Sequence, residues 1–123
     1  MLKYTSLAQL AEEAQSVGAS IGEIVLRDQS LQMERTEDAL LQEMDAQLSI
    51  MEQAAETGAA PDIRSTSGLT GGNGYKMNQY ARTGGVSGAF AAQAIATAIS
   101  VAECNAAMGK IVASPTAGSC GIL

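Results

Sequence analysis

Between Ser87 and Met108 the chain reads SGAFAAQAIATAISVAECNAAM. Alanines at 91, 92, 94, 96, 98, 102, 106 and 107 leave this stretch almost no polar face. A helix that is apolar all round has to be covered all round. The run over 87–108 therefore predicts a central, buried helix of something larger than this chain, ended by Gly109. The composition points the same way. Hydrophobic residues make up 46% of the chain but aromatics only 3%, with no Trp, one Phe, six Met and 13 Gly. A core built from Ala, Leu, Ile and Met lets helices approach closely, yet each side chain buries little area. At 123 residues there is enough chain for one domain with one modest core, in need of further surface from elsewhere.

The rest of the chain also reads as helix and loop. Leu7, Leu10, Ala11, Ala14 and Val17 recur at helical spacing, with Thr5 or Ser6 to start the helix and Gly18 to end it. Ser20 opens a second helix carrying Ile21, Ile24, Val25 and Leu31 on one face and running on through Met33. Thr36 is a good N-cap, and Glu37 and Asp38 suit the positive end of a helix dipole. Behind them Leu40, Leu41, Met44, Leu48, Met51 and Ala55 form a broad apolar stripe that Gly58 stops. These methionines read as core filler. Residues 59–74, rich in Pro, Ser, Thr and Gly, are a loop. A short helix is predicted over 75–82, broken by Thr83-Gly84-Gly85, and a second small-residue loop over 114–121. The fold class is mainly α: acidic helices over 1–58, a loop over 59–74, the Ala-rich helix over 87–108 and a cysteine loop over 114–121.

Charge excludes some functions. Residues 1–56 carry 11 acids against Lys3, Arg27 and Arg35, a net −8, whereas 57–123 are net +2. An acidic front half repels phosphate backbones, so nucleic acid is not an expected partner. The second half is basic enough to hold a small anion. Met1-Leu2-Lys3-Tyr4 leads into polar residues rather than the apolar core of a signal peptide. No stretch is apolar for long enough to span a bilayer, so no membrane association is expected. The compartment predicted is the reducing cytosol, where Cys104 and Cys120 serve as thiols or metal ligands sooner than as a disulfide.

Two loops are places for chemistry. In Ser65-Thr66-Ser67-Gly68-Leu69-Thr70-Gly71-Gly72-Asn73-Gly74, glycines allow close backbone approach, and successive N–H groups can cradle an anion. The run lacks the spacing of a phosphate loop or a dinucleotide fingerprint, and a plain connection competes with a ligand-cradling role. In Ser114-Pro115-Thr116-Ala117-Gly118-Ser119-Cys120-Gly121, a cysteine among small residues is open to a metal or an electrophile. Cys104 lies on the Ala-rich helix and reads as a small buried residue, and Asn105 beside it can bond a loop backbone or reach a ligand. The sequence has no His, which excludes a His-based catalytic triad within it and removes the commonest general base. Asp and Glu cluster on helices that read as solvated faces, so no catalytic acid or base is assigned.

Taken in order, Thr66-Ser67-Gly68-Leu69-Thr70-Gly71-Gly72, Asn105-Ala106-Ala107-Met108-Gly109 and Pro115-Thr116-Ala117-Gly118-Ser119-Cys120-Gly121 resemble the α subunit of iron–sulfur-dependent L-serine dehydratase. The resemblance spans the whole chain. It departs from the family in length, because the family's α subunit continues well past the cysteine loop with further helices and cysteines. The chain is accordingly expected to be the amino-terminal part of such a subunit and to be inactive alone. The resemblance implies conversion of L-serine to pyruvate and ammonia with a [4Fe–4S] cluster. It implies Cys120 as a cluster ligand. Thr116, Gly118 and Ser119 would line the pocket, Thr70, Gly71 and Gly72 would form a substrate-side loop through backbone contacts, and Asn105 would be a pocket residue. The partners implied are L-serine, the remainder of the α subunit and a β subunit or domain, in an oligomeric assembly. Two other readings compete: a non-catalytic helical interaction module, and an anion-binding regulatory domain on residues 65–74.

Overall fold

The computed structural model describes residues 4–113. Among these residues there are five helices and no strand: α1 (Leu7–Val17), α2 (Ile21–Met33), α3 (Glu37–Gly58), α4 (Asn73–Ala81) and α5 (Ala89–Ala106). The chain divides into two compact units, Met1–Ala46 and Gln47–Leu123.

In the first unit, local signals set the helix ends. Each α-helix starts with four N–H groups and ends with four C=O groups that lack partners within the helix. At α1, the Ser6 hydroxyl accepts from the Gln9 amide, and Gly18 takes the left-handed conformation (φ 66°) that closes the last turn. At α2, Ser20 and Glu23 form a reciprocal capping box, the Ser20 hydroxyl accepting from the Glu23 amide and the Glu23 carboxylate accepting from the Ser20 amide at 2.7 Å. Thr36 starts α3 by accepting from the Ala39 amide. The core of this unit is Leu10, Ala14 and Ile24, with Tyr4, Ala19 and Val25 packed on it.

The apolar faces are covered less than their periodicity predicts. Of the α2 face, Ile24 is buried, but Ile21 and Leu31 are exposed. Of the α3 stripe, Leu40 is buried, while Leu41, Met44, Leu48 and Met51 stand in solvent. Helical spacing aligns side chains, but burial needs an opposing element, and among the described residues none faces these positions. Nor are all the acids solvated. Asp28 is buried on α2 with one carboxylate oxygen bonded by the Gln32 side chain and the other without a partner.

The second unit is built on small residues. Ala54 near the end of α3 packs with Val101 and Cys104 of α5, joined by Ala55 and Ile111. Ala81 of α4 packs with Ala92 and Ala96 of α5, joined by Met77. Glycine takes this closeness further. A Cβ at Gly58 would collide with the Ser100 backbone, and one at Gly74 would sit 2.5 Å from the Gly58 carbonyl oxygen and 2.9 Å from Ser100 Oγ. The end of α3, the start of α4 and the middle of α5 therefore meet backbone to backbone. Within the described residues α5 buries one side, including Ala92, Ala96, Ser100, Val101, Glu103 and Cys104, while Phe90 is 91% exposed. The end of α3 and the nine-residue α4 are too little surface to enclose it.

Candidate functional site at the two loop anchors

The site is assembled where the loop before α4 meets the last turns of α5. Helix α4 begins two residues earlier than its apolar pattern predicts, and the cause is not local. Its N-cap, Gly72 (φ 83°), has no side chain with which to cap. The first amides of α4 instead donate to Glu103: Asn73 N lies 2.8 Å from Oε1 and Gly74 N lies 3.0 Å from Oε2. Glu103 is only 8% exposed. A buried carboxylate held by two N–H donors at the positive end of a helix is a strong, charge-assisted arrangement. Glu103 thus departs from the expectation that the acids lie on solvated faces.

At the other end of the loop the polarity is reversed. The Ala106 carbonyl, one of the unpartnered acceptors at the end of α5, receives the Thr66 amide at 3.0 Å and the Thr66 hydroxyl at 3.2 Å. Residues 66–73 are therefore strapped at both ends to one stretch of α5. Between the anchors, Ser65 N donates to Thr70 O at 2.9 Å and Thr70 N donates to Ser65 Oγ at 3.1 Å, closing a turn. Gly71 (φ 145°) leaves no room for a side chain, since a Cβ would collide with the Ile63 carbonyl. The Arg64 guanidinium sits beside Gly72, where a Cβ would lie 3.4 Å from Nη1. Thr66, Ser67 and Thr70 are exposed.

The segment Asn105-Ala106-Ala107-Met108-Gly109 forms a tight C-terminal closure. Gly109 N donates to Cys104 O at 2.8 Å and Met108 N donates to Asn105 O at 3.0 Å, the paired bonds of a Schellman turn. The left-handed position falls on Met108 (φ 63°), a non-glycine. Gly109 follows where a Cβ would collide with the Cys104 sulfur. Cys104 is 2% exposed, and burial pushes its thiol above the ordinary range. It packs as a small apolar residue.

A buried polar cluster ties α4 to α5 beneath the loop. The Ser100 hydroxyl donates to the Ala96 carbonyl at 2.8 Å, and Asn78 Nδ2 donates to Ser100 Oγ and to the Gly74 carbonyl.

Of the residues predicted to bind substrate, Thr70, Gly71, Gly72 and Asn105 lie in this region. The loop is anchored on Ala106, the neighbour of Asn105, and Asn105 itself is exposed. Thr116, Gly118, Ser119 and Cys120 lie outside the described residues. Sequence reasoning missed Glu103, Ser100 and Asn78. The available signal was a lone acid and a serine inside an otherwise apolar helix, at positions that have to find partners if buried.

Comparison with known proteins places the chain in a family. The serine dehydratase alpha chain family matches residues 16–123. The chain is 35% identical over 121 residues to the probable L-serine dehydratase, alpha chain, of Bacillus subtilis (strain 168), covering 98% of this chain and 40% of that protein. It is 35% identical over 107 residues to the L-serine dehydratase, alpha chain, of Peptoniphilus asaccharolyticus, covering 86% of this chain and 37% of that one. The chain therefore spans well under half the length of these curated relatives. No solved structure matches it. With a family match over most of its residues, the chain belongs to the serine dehydratase alpha chain family.

Proposed function

We propose that this chain is the amino-terminal part of an L-serine ammonia-lyase α subunit, acting in the cytosol within an oligomer that includes the rest of the subunit and a β subunit or domain. Its task is to present a glycine-built loop, anchored at both ends, to a small amino acid. The observation that carries this reading is the double anchoring of residues 66–73, through Thr66 on Ala106 and through Asn73 and Gly74 on Glu103. A loop with exposed hydroxyls and little side-chain bulk, held at both ends by buried helix groups, is suited to bind a zwitterion through its backbone. Thr70, Gly71 and Gly72 would make those contacts, with Asn105 beside them and Thr116, Gly118 and Ser119 completing the pocket.

The cofactor is a [4Fe–4S] cluster, with Cys120 as one ligand. When bound, it would supply a Lewis acid for loss of the serine hydroxyl. Among the described residues, no group of three or more His, Cys, Asp or Glu side chains could hold a metal. Cys104 is enclosed and each Glu103 oxygen already accepts from an amide, so the ligands of a cluster would come from outside the described residues, Cys120 among them. For the competing anion-binding reading on residues 65–74, the Asn73 and Gly74 amides are already taken by the chain's own Glu103 carboxylate.

The test is the complete subunit, assembled with its β subunit and reconstituted anaerobically with iron and sulfide. Pyruvate released from L-serine in proportion to bound iron is the expected result. Full activity after complete iron removal would overturn the cofactor assignment, and no pyruvate under any condition would overturn the reaction. The isolated segment is expected to release none.

A further inference from the structure

Glu103 has a structural effect on α4 that suffices to explain its burial, but its location gives it a second consequence. Its amide partners, Asn73 and Gly74, directly follow Thr70-Gly71-Gly72 in the chain. The other anchor, Ala106, lies three residues further along α5, one turn away on the same face of the helix. The loop is thus a strap across a single helical turn. Gly71 and Gly72 both have positive φ, a backbone that glycine adopts most readily, and it is held by the packing of Gly71 on Ile63 and Arg64 together with the two ends of the loop. The nearer end is the Glu103 clamp. The Thr66 anchor lies within the Ser65–Thr70 turn, five residues before Gly71.

We infer that Glu103 is a positioning residue for L-serine: by gripping the Asn73 and Gly74 amides, its carboxylate sets the backbone of Thr70-Gly71-Gly72 against which the substrate lies. This rests on the proposed serine-binding role of that loop. Glu103 acts through the loop rather than on substrate, since it is buried with each oxygen turned to an amide of α4. A glutamine at 103 can accept from one amide, but its NH2 group opposes the other. An alanine leaves both N–H groups without their partner in a buried place.

The experiment uses the complete subunit assembled with its β subunit, with Glu103→Gln and Glu103→Ala compared with wild type. Three quantities are read: KM and kcat for L-serine, iron per protein, and amide hydrogen exchange at Asn73 and Gly74. Binding lost equally from ground and transition states raises KM and spares kcat, so Glu103→Ala is expected to raise KM about tenfold and Glu103→Gln about threefold, each with kcat within about twofold of wild type. Iron content stays at the wild-type level, and exchange at Asn73 and Gly74 accelerates in the same order. If Glu103→Ala does not fold, Glu103→Gln carries the same comparison. Faster exchange with KM unchanged would overturn the positioning role and leave a purely structural clamp. So would a fall in kcat or in iron with KM unchanged. A wild type that makes no pyruvate, with slow exchange at Asn73 and Gly74, would instead overturn the serine reading, and the substrate role with it, while the clamp stands.

Discussion

Thr66 and Ala106, 40 residues apart in the chain, meet at a single carbonyl oxygen that accepts both the backbone amide and the hydroxyl of the threonine. The two bonds differ in weight. The amide bond orders the backbone of the loop, and the hydroxyl bond adds to it from an exposed side chain. Thr66→Ala keeps the first and loses the second, whereas Thr66→Pro removes the N–H itself. Tryptic cleavage after Arg64 in the native protein is therefore expected to rise less than about threefold in Thr66→Ala and more than about tenfold in Thr66→Pro, because cleavage tracks local opening. Equal rates in the two variants would show that the backbone bond does not hold the loop.

The backbone-to-backbone meeting of α3, α4 and α5 predicts sharp intolerance to one methyl group. Gly74→Ala places a Cβ against the Gly58 carbonyl and the Ser100 side chain. Overpacking against backbone cannot be relieved by a rotamer change, so a loss of about 2–3 kcal/mol in unfolding free energy is expected. Gly22→Ala is the comparison: its nearest neighbour is Ser20 Oγ at 3.9 Å, and it lies inside a helix, where alanine is preferred. Denaturant titration should show a gain, or no change, for Gly22→Ala.

The Schellman turn that ends α5 carries strain at one residue. Met108 holds a left-handed conformation that costs a non-glycine residue about 1 kcal/mol, so Met108→Gly is expected to stabilise the protein by up to that amount, less the added freedom of the unfolded chain. Gly109→Ala next to it should destabilise, since its Cβ would meet the Cys104 sulfur. Opposite signs at adjacent residues, read as midpoint shifts in denaturant, check the geometry of the turn.

Cys104 links burial to alkaline stability. Its folded-state thiol titrates above the ordinary value because burial disfavours the thiolate. The unfolded thiol ionises first as pH rises. The contribution is therefore intact below the ordinary thiol range and is lost as pH climbs through the folded value. In a Cys120→Ala background, the melting temperature should fall with pH above about 8.5, and the further substitution Cys104→Ala should flatten that fall. Native-state alkylation of Cys104 should be slow and become rapid in denaturant.

Glu23 predicts the reverse trend in acid. Its carboxyl is held below the ordinary range, first by the Ser20 backbone amide and then by the Ser20 hydroxyl. A lowered folded-state value means that the contribution is present above the unfolded value and is lost as pH falls through the folded one. Glu23→Gln keeps a neutral acceptor. The advantage of wild type over Glu23→Gln, followed by amide exchange at Ser20, should shrink as the solution is acidified.

Much of this architecture was legible in the residues. Ser6, Gly18, Ser20 and Thr36 stand at helix ends as their side chains predict, because capping is settled within a few residues of chain. Gly58 ends α3 for the same reason. The start of α4 was misplaced because its cap, Glu103, lies 30 residues away from Asn73. Leu41, Met44 and Leu48 share the apolar stripe of α3 yet stand exposed, because periodicity says which side chains align, not what lies opposite them.

By itself the sequence determined a mainly helical chain and the small-residue loop ahead of α4, since these follow from local spacing and residue type, while likeness to known proteins identified the family. Only the tertiary structure decided that Glu103 is buried and that it grips the amides ahead of α4, while Cys104 is closed off. A carboxylate on an alanine-rich helix is equally compatible with solvent and with a buried donor pair. What settles the matter is whether folding brings distant N–H groups within 3.0 Å of it, and that is a property of packing rather than of neighbours in the chain.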